Sequence, residues 1–156
     1  MHAGFVGAQF AAQRGRLEEA AAVMATALRP QLTDLPAGAA EELARGIFGD
    51  AAAHARALEI VNAYLAGKPR VVNGNVPFVL NLLGEPPERA LELAGRGLTS
   101  NDATFFVGLW LPQGRRLRTA PAFSAFARRL GLVEIWDREG PPDLCERKAP
   151  GEYVCR

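Results

Sequence analysis

The stretch GRLEEAAAVMATAL, residues 15–28, decides the fold expected of this chain. Its small and apolar residues recur at i, i+4, i+7 and i+8 from position 20, which predicts one continuous apolar stripe along a helix. Its leading glycine recurs at Gly49 and Gly84, first 34 and then 35 residues further along the chain. A spacing of about 34 residues is typical of solenoids built from helix–turn–helix repeats. The sequence therefore predicts a stack of antiparallel helix pairs.

Helical patterns fill the first 99 residues, and short breaking or capping signals separate them. Gly15 is expected to end the first helix in the left-handed conformation. Pro30 is expected to end the second helix because proline cannot donate the next backbone hydrogen bond, and Asp50 is expected to cap the fourth. The six helices of three pairs are expected at about residues 5–14, 17–28, 37–48, 51–66, 76–83 and 88–96.

The composition changes after residue 99, because seven of the twelve aromatic residues lie in the last 56 positions. Proline, glycine and capping signals there predict further short helices. No stretch alternates apolar and polar residues for long enough to predict a strand. The helices are expected at residues 100–110, capped by Ser100, then at 121–130 and 132–136.

A single all-α domain is expected, and it is expected to be a fragment of a longer protein. The first residues open directly inside a helix, and no repeat with a polar outer face precedes it, although the ends of solenoids usually need one for solubility. The alternative is a short protein whose first helix is covered by a dimer partner. The three parts of the domain are repeats over residues 1–99, a helical cap over 100–139 and an irregular tail over 140–156.

The overall charge and hydropathy limit the classes of partner. The net charge is +1, so no general attraction to nucleic acid is expected. The longest nearly unbroken apolar run, residues 103–111, is much shorter than the ~20 residues that a membrane helix needs. We therefore expect neither nucleic-acid binding nor direct insertion into a membrane.

The first repeat resembles the tetratricopeptide repeat family. The family places a small residue, a bulky one four positions later and a second small one, and Ala20, Met24 and Ala27 follow this pattern. The second repeat departs from it, because His54 stands where the first has Ala20. The third repeat resembles it through Gly84, Ala90, Gly97 and Leu98. The resemblance implies a tetratricopeptide-like solenoid of about three helix pairs.

The end of the chain is similar to the closing segment of many bacterial tetratricopeptide proteins. The similar stretches are LRTAPAF at 117–123, FARRLGL at 126–132, Ile135-Trp136, and GPPDLC at 140–145. In those relatives this segment closes a signalling or regulatory protein, often after a winged-helix or cyclase domain. The resemblance implies a bacterial signalling module, without naming an activity.

Two cysteines, Cys145 and Cys155, lie ten residues apart in the expected tail. The relatives carry a similar pair, which implies a disulfide, and closing a loop of this size would contribute about 2–3 kcal/mol. The alternative is two free thiols. A disulfide favours a periplasmic or other extracytoplasmic location, and free thiols favour the cytoplasm. No metal site is expected, because zinc prefers four ligands and no histidine is nearby.

The family's repeat register implies a concave groove lined by amides and aromatic rings, suited to an extended peptide. The alternative for its two phenylalanines is that they belong to the core. The groove residues are Phe5, Gln9, Gln13, Phe78 and Asn81.

Arginines form a basic stretch that contains no acidic residue between Gly114 and Gly131. Clustered arginines can hold phosphate or carboxylate groups through paired hydrogen bonds. The favoured alternative is a solvated rim with cations placed at helix C-termini. The members of this basic patch are Arg115, Arg116, Arg118, Arg128 and Arg129.

No catalytic residue or cofactor is expected. His54 has no carboxylate, serine or cysteine at a spacing that would organise it for acid–base chemistry. The function expected is a non-catalytic scaffold or sensor that binds a protein or peptide. The alternative is a structural cap or homodimer with no ligand of its own, because Phe5, Val6 and Phe10 suggest an exposed apolar edge.

Overall fold

The computed structural model describes residues 2–67, 72–97 and 103–156. This part of the chain is mostly helical, which confirms the expected predominance of α-structure. The expected cap at Ser100 and the repeat position Leu98 lie outside the described residues. The elements are α1 (His2–Gln13), α2 (Leu17–Leu28), α3 (Ala39–Phe48), α4 (Ala51–Gly67), α5 (Asn75–Leu82), α6 (Pro87–Gly97), α7 (Ala103–Trp110), a 3₁₀ turn (Pro112–Gly114), α8 (Arg115–Arg118), α9 (Phe123–Arg129), α10 (Leu132–Glu139), β1 (Cys145–Ala149) and β2 (Glu152–Cys155).

The predicted signals at the ends of the helices operate as expected. Gly15 follows α1 with a φ of 74°, and Gly84 follows α5 with a φ of 81°. A side chain would be strained at both positions, which explains why glycine stands there. Asp50 caps α4, because its Oδ1 accepts a hydrogen bond of 2.8 Å from the backbone N–H of Ala53.

Helices α1 to α4 pack in chain order, each against the next. Small residues bring their backbones close together. A Cβ built at Gly4 would lie 2.8 Å from Cβ of Ala27, and one built at Gly46 would collide with Cβ of Ala57. There is no room for a side chain at either glycine, so each glycine lets its helix approach the next one closely.

Helix α5 returns to the first helix of the molecule. The rings of Phe5 in α1 and Phe78 in α5 meet edge to face with their centroids 5.6 Å apart. On its other side Phe78 lies against α7, where a Cβ built at Gly108 would come within 2.6 Å of the ring. Repeats of an open solenoid contact only their neighbours, whereas here the third helix pair touches the first.

The C-terminal third packs through aromatic rings. Phe105 of α7 meets Phe126 of α9 at 5.9 Å between centroids. Trp136 of α10 lies between Trp110, at 6.4 Å, and Tyr153 of β2, at 5.2 Å. These edge-to-face pairs link elements of only four to eight residues, which are too short to be stable alone.

The expected irregular tail is wrong, because the chain ends in a two-stranded antiparallel hairpin. Strands β1 and β2 pair with Cys145 opposite Cys155 and Arg147 opposite Tyr153. A disulfide joins Cys145 and Cys155. The alternation that marks a strand is confined to Tyr153 and Cys155, which are buried while their neighbours are exposed. Two positions are too few to predict a strand from the sequence.

Candidate functional site

The outward face of α1 is an apolar stripe. Ala3, Val6, Phe10 and Gln13 are exposed and stand at i, i+3, i+7 and i+10. Val6 is 41% exposed and Phe10 is 55% exposed. A spacing of three and four residues is that of a seam on which another helix packs. Val6 and Phe10 therefore give α1 an exposed apolar surface.

The opposite face of α1 explains how the stripe is positioned. Phe5, Ala8 and Ala11 are buried against the core. Their burial fixes the rotation of the helix, so Val6 and Phe10 must point outward. The sequence HAGFVGAQFAAQ contains no acidic, lysine or arginine residue. Shape and apolar contact, rather than charge, therefore determine what this face can bind.

A cavity of about 520 Å³ lies along α2. Gly4 is the residue that α1 contributes to its wall, on the side of α1 that faces Ala27 of α2. Its walls are mostly small or apolar, and they consist of Gly4, Ala22, Val23, Thr26, Ala27, Pro30 and Gln31. We name the exposed stripe of Ala3, Val6 and Phe10 the α1 edge.

The five residues expected to line a peptide groove do not form one accessible surface. Phe5, Phe78 and Asn81 are only 4%, 2% and 4% exposed. Asn81 donates a hydrogen bond of 2.8 Å from Nδ2 to the backbone oxygen of Gln113. Gln9 is half-buried and Gln13 is exposed. The expectation of a groove is corrected here, because the contact between α1 and α5 fills the space that the groove required.

The expected basic patch is also corrected, because Arg118 is buried. It is 5% exposed, and its guanidinium donates to three backbone oxygens, those of Leu109, Leu111 at 3.0 Å and Arg156 at 3.0 Å. Burial lowers the pKa of Arg118, and the nearby charge of Arg115 lowers it further. Arg118 therefore joins α7 and α8 to the chain end instead of facing a ligand.

Other arginines of the same stretch also lie against this chain. Arg116 donates from Nη2 to the backbone oxygens of Gly84 at 3.0 Å and Glu85 at 3.2 Å. Arg128 donates to the backbone oxygen of Gly151 at 3.1 Å. The Arg129 guanidinium lies across α6, where a Cβ at Gly95 would come within 2.7 Å of Cζ. Arg115 is exposed. These placements favour structural roles for the arginines.

A polar cluster that the sequence did not predict connects α4 with the loops before α3 and α5. Tyr64 donates from its hydroxyl to Oδ2 of Asp34 at 2.6 Å, and the backbone N–H of Asn73 donates to the same hydroxyl at 3.1 Å. Asn73 also donates from Nδ2 to the backbone oxygen of Gln31 at 2.7 Å. Burial and the hydrogen bond to Asp34 raise the pKa of Tyr64 to about 12.

The signal for this cluster is visible in the sequence once its role is known. Asn73 precedes Gly74 and Asn75, and its Oδ1 accepts a hydrogen bond of 3.0 Å from the backbone N–H of Asn75. An asparagine that bonds two residues on forms a turn. The turn places Asn73 over Tyr64, so the cluster secures the entry of the chain into α5.

Neither a metal-ligand cluster nor a membrane-spanning helix occurs in the described part of the chain. Within residues 2–67, 72–97 and 103–156, no group of three or more His, Cys, Asp or Glu side chains is placed to hold a metal ion. His54 lies half-buried on α4. Among the helices described there, none combines the length and apolar content required to cross a bilayer.

Comparison with known proteins gives no relative for this chain. No family model matches it, and neither curated proteins nor solved structures provide a significant match.

Proposed function

We propose that this chain is a non-catalytic protein–protein interaction module and that its α1 edge receives a helix of a partner protein. The observation that carries the proposal is the exposed stripe of Ala3, Val6 and Phe10 on a helix without acidic, lysine or arginine residues. A helix that buries one face and leaves an apolar seam on the other is suited to a second helix on that seam.

The partner of this proposal is an amphipathic helix with an apolar face. On this chain, Phe10 is the residue that anchors the partner helix, because aromatic side chains dominate the energy of such contacts. Gln9 and Gln13 on the flanks provide hydrogen bonds at the rim of the contact.

The finer part of the proposal is a tetratricopeptide-like module from a bacterial signalling or regulatory protein. Three features support it: the helix pairs α1–α2, α3–α4 and α5–α6, the recurrence of glycine at Gly15, Gly49 and Gly84 between the two helices of each pair, and the closing segment with its arginines. The contact between Phe5 and Phe78 makes the proposed stack more tightly curled than an open solenoid.

The non-catalytic part of the proposal is supported by the use of the ionisable side chains. Arg118 bonds to backbone oxygens, Tyr64 bonds to Asp34, and Asp137 accepts hydrogen bonds from the Tyr153 hydroxyl at 2.8 Å and the Gly151 N–H at 3.2 Å. Each of these groups connects two parts of the fold. Groups engaged in this way are not poised to exchange protons with a substrate.

Affinity capture with matched variants tests this function. The intact chain is immobilised, proteins retained from an extract of the source cells are identified by mass spectrometry, and Phe10→Asp is compared with Ile135→Asp. Ile135 is 45% exposed on α10, far along the chain from α1. The proposal expects one defined protein that Phe10→Asp loses and Ile135→Asp retains. A protein retained equally by both variants would contradict the α1 edge as its site.

The second candidate function is a structural homodimer without a ligand of its own. The observation that favours it is the absence of acidic, lysine and arginine residues from α1, because an apolar face can pack against its own copy without repulsion. Sedimentation velocity over a range of concentrations decides. A dimer that Phe10→Asp dissociates supports this candidate, and a monomer at every concentration removes it.

A further inference from the structure

The disulfide between Cys145 and Cys155 opens onto a cavity. This cavity has a volume of about 290 Å³, and both cysteines belong to its wall together with Asp143, Leu144, Glu146, Val154 and Arg156. Cys145 is half-buried, whereas Cys155 is only 7% exposed. A cavity of this volume can admit the side chain of an attacking thiolate.

The exposure of the two cysteines sets the direction of the exchange. Cys145 is the less buried of the two, so an attacking thiolate reaches it more readily and Cys155 is the leaving thiol. The cavity wall carries charges of both signs, because Arg156, Asp143 and Glu146 all line it.

The hairpin packs against α9 and α10, so its release would change the structure only in that part of the molecule. Tyr153 packs its ring on Trp136 at 5.2 Å and donates its hydroxyl to Asp137 at 2.8 Å. Arg128 and Ser124 of α9 donate to the backbone oxygens of Gly151, at 3.1 Å, and Tyr153, at 3.3 Å. Asp137 of α10 also pairs with Arg147 of β1 at 3.0 Å, so the short helices contact both strands and the turn between them. Helices α1 to α6 make none of these contacts among the described residues.

We propose that the Cys145–Cys155 disulfide is a site of thiol–disulfide exchange with a dithiol reductant, and that its reduction releases the hairpin from α9 and α10. The hairpin then acts as a latch that is closed when oxidised and open when reduced. The open form exposes Trp136 and the surface of α9 that faces β2. This inference does not depend on the α1 edge.

The exchange proceeds in two balanced steps. A thiolate of the reductant attacks Cys145 Sγ and forms a mixed disulfide, while the bond between Cys145 and Cys155 breaks and Cys155 leaves as a thiolate that takes up a proton. The second thiol of the reductant then attacks the mixed disulfide. Cys145 is released as a thiol, and the reductant leaves as an internal disulfide. The protein gains two electrons and two protons, and the dithiol loses the same.

The test uses the intact oxidised chain with dithiothreitol as the probe at neutral pH and without denaturant. Intact mass confirms that both sulfur atoms have been reduced, and amide hydrogen exchange is then measured along the chain. The expected result is that β1 and β2 exchange at least about tenfold faster after reduction, because a ten-residue closed loop loses its constraint. The amides of α2 to α4 keep their protection, and reoxidation restores the slow exchange.

Two outcomes would overturn the latch. One is a bond that resists dithiothreitol until the protein unfolds, and the other is less than a tenfold change in the hairpin after reduction. The control is Cys145→Ser/Cys155→Ser, which removes the only two cysteines of the chain. In this variant the hairpin should exchange as in the reduced protein, and dithiothreitol should change nothing. Tryptophan fluorescence provides a second readout, because Trp110 and Trp136 both belong to the cluster that contacts Tyr153.

Discussion

The N-terminal and C-terminal parts of this molecule are stabilised by different kinds of contact. Helices α1 to α4 are 10 to 17 residues long and pack through glycine and alanine, with Gly46 against Ala57 as the tightest example. From α7 onward, apart from the final hairpin, the elements have eight residues or fewer. They are connected by ring pairs, by arginine side chains that bond to backbone oxygens, and by a disulfide.

The difference teaches how element length determines the kind of contact required. A long helix satisfies most of its backbone groups internally, so close packing of small side chains is enough to secure it. A short helix leaves a large share of its carbonyl groups without a partner inside the helix. Arg118 and Arg116 supply donors to carbonyls at or just beyond helix ends, at Leu109 in the last turn of α7 and at Gly84 after α5. These two arginines therefore help to satisfy the ends of short helices.

The largest effect that this comparison predicts is at Phe126. The side chain is fully buried beneath Phe105 and Phe123, so Phe126→Ala should lower the free energy of unfolding by about 3–5 kcal/mol. The matched control is Phe10→Ala on the outward face of α1, which should change it by less than about 0.5 kcal/mol. Urea unfolding measures both. Equal losses would mean that the α1 stripe is part of the core.

Gly46 tests the close packing of small residues between α3 and α4. A methyl group there meets Ala57 of α4, so Gly46→Ala should lower the free energy of unfolding by about 1–3 kcal/mol through overpacking. A methyl group added at Gly67, at the end of α4, would meet no atom of the described residues within 4 Å, and Gly67→Ala should be neutral or stabilise by up to about 1 kcal/mol. Thermal unfolding of the two variants separates them. A neutral Gly46→Ala would refute direct contact between α3 and α4.

Arg118 tests the carbonyl-bonding role of the arginines. Arg118→Met keeps the length of the side chain but leaves three backbone oxygens without this donor, and it should lower the free energy of unfolding by about 1–3 kcal/mol. Arg115→Met, at an exposed position, should change it by less than about 0.5 kcal/mol. If Arg115→Met were the more damaging variant, the interpretation of a structural Arg118 would be wrong.

The smallest expected effect is an alkaline loss of stability through Tyr64. Its pKa is raised to about 12, chiefly by burial and then by the bond to Asp34. The contribution of Tyr64 is therefore complete below the unfolded value of about 10 and is lost as the pH rises from about 10 to 12. Denaturation followed at pH 9, 10 and 11 should show a steeper decline for the native chain than for Tyr64→Phe. Parallel declines would exclude this linkage.

The sequence predicts well those helices whose start and end signals lie close together along the chain. Helix α2 spans Leu17–Leu28 as predicted, because Gly15, the apolar stripe and Pro30 all act within a few residues of each other. The hairpin is not predicted, since its stability comes from the disulfide and from contacts of Tyr153 with Trp136 and Asp137. These partners are recognisable only after the chain has folded.

The candidate sites show the same limit. Val6 and Phe10 are recognisable as an apolar edge from the sequence, because their positions on one helix need no further information. The burial of Phe5 and Phe78 depends on the return of α5 to α1, which no local pattern encodes. The burial of Arg118 depends likewise on the position of the chain end.

The central claim is that the protein acts through the outward face of α1. The most direct test is a calorimetric titration of the chain with the amphipathic helix of its captured partner. The account predicts that Phe10→Asp weakens binding by about tenfold or more, while Ile135→Asp leaves the affinity within about twofold. Unchanged affinity in Phe10→Asp, with the fold intact by circular dichroism, would contradict it.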